Sequence, residues 1–433
     1  MKYNKHQKEI SKGFKKYEPV SKASFKFFSA VDKLKICTHS ETVPVIDSLD
    51  RVLAFDFKSP LDVPPFRRAA MDGYAILSKN TIGASETNPA LLKMIGRSNA
   101  GQKTRLKVGH GTAIAVATSA KMPKGADSVA MVEITSIDSD KVQIFKQIES
   151  GKNVSRVGED VRRGQVLIKK GTLLTSQDIA IMSAVGVSKI PVYRKPRVAI
   201  FSTGNELVEP GSRLTESSIY ESNRYMLSSL VKESGGKVVD LGICPDDKKS
   251  IQRRLKSAMR YDIVIISGGT SVGSKDYVPE VINESGRPGV VVHGIAMRPG
   301  SPTALSIVNK TPIISAPGYP VSAYFAFFTF ARPLIMKLLK TSDSHIHVLD
   351  ATITTTLKLH QGMRTFLRVK LDKKKQGNGF RYYAAPISAT GASLLSTLTK
   401  SNGFAILDNK SIIKKGEKIQ VITLRHVEDL IET

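Results

Sequence analysis

The sequence predicts a multidomain fold that combines an open α/β domain with β domains on either side, and three observations carry that prediction. Between residues 197 and 293, short and predominantly apolar runs alternate with amphipathic helical stretches, the pattern of a sheet covered on both faces. Around it, residues 51–150 and those after 343 alternate apolar and polar side chains between glycine turns, as half-buried strands do. The chain is also 433 residues long, which exceeds what one core supports and suggests about three domains.

Taken in order, the chain is lysine-rich up to about Val43, and 61–65 forms a proline-punctuated link. Segments 111–118, 128–133 and 141–145 then read as strands of a small β domain. Residues 177–185 read as a short helix, and 190–193 as a strand running into the charged link Arg194-Lys195-Pro196. Runs 197–201, 237–241, 262–266 and 290–293 have the composition of parallel strands. Ile251, Leu255 and Ala258 share one helical face, as do Ile219, Met226, Leu227 and Leu230, the latter helix closing at Gly235-Gly236. Beyond about His345, segments 357–359, 366–370, 380–383 and 419–423 return to strands.

The formal net charge is +27, large enough to attract polyanions over a Debye length or more. The lysines are spread along the whole chain, and the sequence has no zinc-finger spacing, RNP aromatic motif or arginine-rich tract. That distribution argues against nucleic acid and for a basic surface around an enzyme that handles anions. Cys37 and Cys244 are the only cysteines, so no disulfide framework or C-x-x-C site is encoded, and a reducing cytoplasm is expected. The first 37 residues hold ten lysines and no apolar core of a secretory signal. The longest apolar run, 321–331, ends at Arg332-Pro333 and is too short for a bilayer, so no membrane helix is expected.

In an open α/β sheet the ligand lies beyond the carboxyl ends of the strands, which directs attention to four loops. They are Ser202-Thr203-Gly204-Asn205-Glu206, Pro245-Asp246-Asp247, the stretch from Ser267 through Gly268, Gly269, Thr270, Ser271 and Gly273 to Asp276, and Pro317-Gly318-Tyr319-Pro320. The glycines let backbone amides approach an anion, with phosphate the expected guest, although an isolated Gly-Gly also fits an ordinary turn. Glu206, Asp246 and Asp276 would repel one another at one sheet edge unless a hard cation such as Mg2+ bridged them. Asp246 and Asp247 also precede a helix, so either is equally well read as a cap. His345-Ile346-His347 has no partner ligands nearby and reads as an exposed link. Tyr324, Phe325, Phe327, Phe328 and Phe330 read as core or dimer packing.

These motifs, together with Pro65-Phe66, Ala70-Met71-Asp72-Gly73-Tyr74-Ala75 and Gly158-Glu159-Asp160, stand in the order found in molybdopterin molybdenumtransferases. The chain resembles that family, called MoeA, which includes the E domain of gephyrin, from about Ser21 to Thr423. The resemblance implies a central open α/β molybdopterin-binding domain over 194–342, an inserted β domain over 51–150 and a C-terminal β-barrel domain over 343–433. Residues 1–50 and 151–193 would form a discontinuous linker domain. It also implies a homodimer whose cleft draws on both subunits, with Asp72 and Asp160 contributed by the partner chain. The implied chemistry is insertion of molybdate into adenylylated molybdopterin with release of AMP, using Mg2+ and a substrate supplied by an upstream adenylyltransferase.

By the same resemblance, Asp72, Asp160, Glu206, Asp246 and Asp276 matter for activity. Thr118, Ser202, Thr203, Gly204, Gly268, Gly269, Thr270, Ser271, Gly273, Pro317, Gly318 and Pro320 line the substrate, and Arg298, Ser301, Ser322, Arg364 and Ser396 form the oxyanion pocket. Three departures stand out. Ser301 replaces a usual lysine, Ser155 a usual arginine, and Arg67-Arg68 an acidic-polar pair. The lysine lost at Ser301 makes the oxyanion pocket less cationic, and the departures together leave open a tungstate-handling paralogue or a pterin-binding scaffold with little turnover. Within enzymes, the adenylyltransferase of the preceding step or a nucleotide-derivative hydrolase would lack the motifs around Asp72 and Asp160.

Overall fold

The structure, a computed structural model, describes residues 17–34, 36, 39–269, 277–342, 346–376, 379–388 and 391–424. Helix α1 (Val20–Lys33) buries Val20, Ala23, Phe27 and Val31, the three-and-four spacing of a stripe that faces a core. The chain forms two compact units, one of residues 42–49 and 53–191, the other holding α1 and everything from Val192.

In the first unit, β1 (Gly73–Ile76), β2 (Ala90–Ser98), β3 (Thr112–Val116), β4 (Ser128–Met131), β5 (Thr135–Asp138) and β6 (Lys141–Ile144) form one sheet. Its order is β4-β1-β3-β2-β6-β5, curled into a half-barrel. Successive residues point to opposite faces, so Ala75, Ile114 and Val129 enter one core and Tyr74, Ile76 and Ala130 another. A Cβ at Gly73 would lie 1.9 Å from the Ala130 carbonyl oxygen, so only glycine lets β1 and β4 close. Beside the sheet, Val154–Ser155 pairs antiparallel with Arg68–Ala69, Ser155 facing Arg68. Helix α2 (Ser176–Ala184) starts at a capping box between Thr175 and Asp178.

The second unit contains β7 (Arg197–Thr203), α3 (Asn223–Glu233), β8 (Lys237–Cys244), α4 (Lys248–Ala258), β9 (Ile263–Ser267) and α5 (Tyr277–Ser285). After them come β10 (Pro288–His293), β11 (Ala304–Val308) and β12 (Thr311–Ala316). The sheet order is β8-β7-β9-β12-β11-β10, parallel from β8 to β12. Residues 290–293, read from composition as a parallel strand, run in the same direction as β12 but pair with the intervening β11, which is antiparallel to both. The two-residue connection Asn309-Lys310, with Asn309 at φ 56°, permits only a hairpin. The sequence also placed Ile219 on the face of α3. It lies ahead of that helix in the short strand Ile219–Tyr220 and is 57% exposed, while Leu227 and Val231 are buried.

Helix α6 (Pro320–Ala326) passes through a π-helical turn, Phe327–Ala331, into α7 (Arg332–Leu339). The apolar run therefore does not stop at Arg332-Pro333. Pro333 lies inside this continuous helix, directly after the π-helical turn, where its missing N–H removes one backbone hydrogen bond. The whole helix, Pro320–Leu339, spans 20 residues at mean hydropathy 1.2, long and apolar enough by length and composition to cross a membrane. Its aromatic residues pack within the protein: Phe325 stacks on Phe366 at 4.4 Å and meets Phe404 edge-on at 5.1 Å.

The tail strands β13 (Val348–Ile353), β14 (Arg364–Gln376), β15 (Gly379–Ser388), β16 (Gly403–Leu407) and β17 (Lys418–Thr423) pair as β14-β15-β13-β17-β16. Pairing of β16 back to β14 closes a five-stranded barrel around Ile353, Leu367, Val369, Leu371 and Val421.

Candidate active site

Strand β7 is the pivot of the α/β sheet. From it the chain crosses to β8 on one side and then returns to β9 on the other, so the connections diverge and leave a crevice at their carboxyl ends. Register aligns those ends: Thr203 faces Cys244, Ser202 faces Ser267, and Ser267 faces Ala316. The four loops singled out from the sequence therefore share one edge.

There the Thr203 hydroxyl donates to Asp246 Oδ1 at 3.1 Å, and the Asp246 amide donates to Asn205 Oδ1 at 3.0 Å. The capping alternative is resolved by Asp247, which accepts the Ser250 amide at 2.9 Å and caps α4, leaving Asp246 to the crevice. Hydrogen bonds from the Ser250 side chain and backbone hold the Asp247 carboxyl below the usual carboxylate range. Glu206 is exposed and its carboxylate rests against Gly204, where a Cβ would come within 2.8 Å of Oε1. Gly268 has φ 96°, and a Cβ there would lie 2.3 Å from the Thr203 carbonyl oxygen. Gly269 has φ 61°, so both positions require glycine and leave the backbone at those two residues bare of side chains. Thr270, Ser271, Gly273 and Asp276 lie outside the described residues, as do Cys37 and His345.

Behind this edge lies support that the sequence reading missed. Buried Ser202 donates to Glu221 Oε1 at 2.8 Å, and the same oxygen accepts the Arg224 amide at 2.8 Å. The Arg224 side chain pairs with Asp240 and Glu209. Asn223 donates through Nδ2 to Ser267 Oγ at 2.9 Å and to the Gly318 carbonyl at 2.7 Å, tying the β9 and β12 loops together. The available signal is the polar run Glu221-Ser222-Asn223, which leads into and opens α3 and is concealed when Ile219 is read as helical.

The residues assigned to an oxyanion pocket gather only in part. Met297–Arg298 adds as a short parallel strand to β14, placing Met297 opposite Arg364 and exposed Arg298 opposite Thr365. Arg364 is engaged there, with Nε and Nη2 donating to the two Asp408 carboxylate oxygens at 2.6 and 2.7 Å. The Ser301 hydroxyl donates to the Met297 carbonyl at 2.7 Å. Ser322 is buried on α6, whose Val321 amide donates to the Ala392 carbonyl at 3.1 Å, and Ser396 is exposed at the start of the short helix Ser396–Lys400. Pro317 is buried behind exposed Gly318, and Pro320 opens α6.

In the first unit, Asp72 is exposed, and its Oδ1 accepts both the Thr118 amide at 2.6 Å and the Thr118 hydroxyl at 3.0 Å. These two bonds, the backbone one foremost, hold its carboxyl below the usual range, so it is ionised. A cavity of about 250 Å³ opens beside it, lined by Tyr74, Arg97, Asn99, Val116 and Val132 among others. Asp160 is exposed, and its amide donates at 3.0 Å to the carbonyl of Val63, which forms an isolated bridge with Val161.

Among the described residues no three metal-ligating side chains converge. Mg2+ commonly takes only one or two carboxylates and completes its shell with water and substrate phosphates, so the donor set of Glu206 and Asp246 fits that ion.

A doubly wound α/β domain with a glycine loop and carboxylates at its switch point, carried in one chain with a closed barrel and a half-barrel unit, defines a MoeA-like protein. The family models agree in chain order: MoeA N-terminal region (domain I and II) over residues 19–186, probable molybdopterin binding domain over 199–337, and MoeA C-terminal region (domain IV) over 350–424. The chain belongs to the MoeA family. It is 33% identical over 386 residues to molybdopterin molybdenumtransferase 2 of Mycobacterium tuberculosis, covering 88% of this chain and 94% of that one. It is 31% identical over 403 residues to the Haemophilus influenzae molybdopterin molybdenumtransferase, covering 92% and 97%. The crystal structure of the molybdopterin biosynthesis moeA protein from Pyrococcus horikoshii OT3 superposes with a TM-score of 0.77 at 31% identity, covering 94% of this chain and 100% of that one.

Proposed function

We propose that this chain is a molybdopterin molybdenumtransferase that inserts molybdate into adenylylated molybdopterin and releases AMP. The observation that supports this most is the convergence of Thr203, Asp246, Gly268 and Gly269 at the switch point of the domain matched by the molybdopterin-binding family model. Relatives that carry the transferase name align with nearly the whole chain.

In this reading the bare backbone at Gly268-Gly269 receives the pyrophosphate of the substrate. Hydrolysis of the phosphoanhydride adds a water oxygen to one phosphorus while the bridging oxygen leaves with the other phosphate. The proton that water loses passes to a carboxylate at the sheet edge. Thr203 fixes the Asp246 carboxylate for its part, and Glu206 stands exposed against Gly204. Mg2+, when bound, supplies charge neutralisation at the pyrophosphate, and Asp246 and Glu206 are the described residues that would hold it. Arg298 and Ser322 offer donors to molybdate. The active assembly is a homodimer in which the Asp72 and Asp160 face of one protomer completes the sheet-edge site of the other, in a cytoplasm where an adenylyltransferase supplies the substrate.

A second reading, a pterin-binding scaffold with little turnover, is favoured by one observation: the Arg364 fork is held by Asp408, which lowers the cationic character of the oxyanion pocket. The two readings separate when the purified protein is given adenylylated molybdopterin, Mg2+ and molybdate. Transfer of active cofactor to a molybdenum-free apoenzyme is the expected result, and binding of the pterin without any such transfer would favour the scaffold.

A further inference from the structure

The transferase reading leaves the long hairpin of the barrel unused. Strands β14 and β15 stay paired out to Gln376 opposite Gly379, but their other neighbours stop short of that. Strand β16 accompanies β14 only from Thr365 to Val369. The Asn402 side chain ends that ladder, its Oδ1 accepting the Leu371 amide at 2.6 Å and its Nδ2 donating to the Leu371 carbonyl at 3.0 Å. Strand β13 meets β15 only from Tyr382 onward. Residues 373–376 and 379–381 are therefore a two-stranded ribbon with both edges free, continuing beyond the barrel. About 40 Å of strand separates Gln376 from Arg364 at the other end of β14, so the ribbon lies away from the residues assigned to the oxyanion pocket.

Register sorts the hairpin side chains into two faces. On one, Lys374 stands directly opposite Arg381, Asp372 opposite Tyr383 and Lys370 opposite Ala385; on the other, Lys375 faces Phe380 and Lys373 faces Tyr382. Lys370, Lys374, Lys375 and Arg381 are exposed, and among the described residues none of the four is in an ion pair. Lys374 lies over the Tyr383 ring at 5.7 Å and Lys373 over the Phe380 ring at 4.0 Å. A lysine run is most often a solvated surface, and lysines on a free edge also keep other strands from pairing with it. Two features exceed that role. Like charges directly opposed across a hairpin are destabilising, and here Lys374 and Arg381 oppose each other where no third strand supports the pair. Phe380, 50% exposed, adds to the ribbon the apolar surface that guarding lysines would counter. An anion between Lys374 and Arg381 relieves their repulsion. Cations interleaved with aromatic rings form the layout that tracks a phosphate backbone while bases stack. A membrane would engage the end of the ribbon, whereas Tyr383 and Lys370 lie towards the barrel.

We infer that this face of the hairpin is a binding site for single-stranded nucleic acid, with Lys370, Lys374 and Arg381 on phosphates and a base stacked on Tyr383. Lys374 leaves the ring for a phosphate, and the amino group of the stacked base donates to Asp372. In the sequence these lysines read as part of an even spread along the chain; the hairpin sets Arg381 and Tyr383 among them. Fluorescence anisotropy of a labelled single-stranded oligonucleotide of about 12 nucleotides, over a salt series, reads binding to the full chain. The paired variant Lys374→Gln/Arg381→Gln should flatten the slope of log affinity against log salt by about 1.4, the share of two phosphate contacts on a single strand. Tyr383→Leu should weaken binding roughly fivefold to a hundredfold with the slope unchanged. Lys141→Gln/Lys146→Gln, which removes the same charge from exposed positions in the first unit, should change neither. Equal losses from the two paired variants would assign binding to diffuse charge and overturn the inference. So would wild-type affinity in Tyr383→Leu, or no binding by the wild type at low salt. Vesicles of phosphatidylserine and phosphatidylcholine are the second probe: vesicle binding that depends on Lys374 and Arg381, without oligonucleotide binding, overturns the inference in favour of a membrane surface.

Discussion

Thr203 and Asp246, at the ends of adjacent parallel strands, are joined by a 3.1 Å hydrogen bond from the threonine hydroxyl to the carboxylate. Thr203 also backs the glycine loop, since its carbonyl oxygen would meet a Cβ at Gly268. Thr203→Val keeps the shape and removes the donor. A hydrogen bond to a charged group contributes about 1.5–3 kcal/mol, so AMP release should slow roughly tenfold to a hundredfold with little change in melting temperature. Unchanged single-turnover rates would show that Asp246 does not need this anchor.

The Arg364–Asp408 pair bears on molybdate. The bidentate pair occupies two donors of the guanidinium fork, and the Ser301 hydroxyl is spent on the Met297 carbonyl. Asp408→Asn should weaken the hold on Arg364, and Ser301→Lys should add a cation. Each should lower the molybdate concentration giving half-maximal insertion, by about tenfold for Ser301→Lys. The wild type, which relies more on long-range attraction by its net charge, should lose apparent affinity more steeply with added salt than Ser301→Lys does. If neither variant shifts that concentration at low or high salt, these positions lie outside the oxyanion pocket.

Arg68 faces Ser155 across the short antiparallel ladder. Directly opposed side chains stand about 4.5–5.5 Å apart, so Arg68 carries a guanidinium close to the place where the resemblance implies an arginine at 155. Arg68→Ser should lower turnover by about tenfold, the scale of one weakened ionic contact, and adding Ser155→Arg should restore most of it. Failure of the double variant to recover, with both proteins folded, would mean that the two positions do not exchange roles.

Asp127 gives the first unit a pH dependence. Burial pushes its carboxyl up, but hydrogen bonds from the Ser78 hydroxyl and amide, Ser128 and Ser150 outweigh that and bring it below the usual range. A carboxyl depressed in the folded state stabilises fully above its unfolded value, about 3.9, and loses that contribution as pH falls through the folded value. Asp127→Asn should therefore melt roughly 2–4 °C lower at pH 7, with the gap closing below about pH 4. A gap that stays constant down to pH 3 would assign the loss to packing alone.

Much of this architecture was legible because it follows from local pattern. The apolar runs at 197–201 and 262–266 are parallel strands since both faces of the sheet are covered, and the residues directly after them form the crevice. The reversed strand β11 was not legible, because a run such as Ala304–Val308 has the same composition in either orientation and the Asn309-Lys310 turn makes it antiparallel to β12, with β10 then pairing antiparallel to it. Asn223 and Glu221 were not legible either. Their roles arise from partners 44 and 19 residues away, Ser267 and Ser202. Asp246 and Asp247 were equivalent as caps until the Ser250 amide was seen to bond Asp247.

The most direct test of the central claim is the coupling of AMP release to molybdate. Wild-type protein and Glu206→Gln, each loaded with adenylylated molybdopterin and Mg2+, are mixed with molybdate while AMP and protein-bound molybdenum are followed together. The account predicts that the wild type releases one AMP per molybdenum bound and only when molybdate is present, and that Glu206→Gln holds the nucleotide while remaining folded. AMP release that is equally fast without molybdate, or at the wild-type rate in Glu206→Gln, would contradict it.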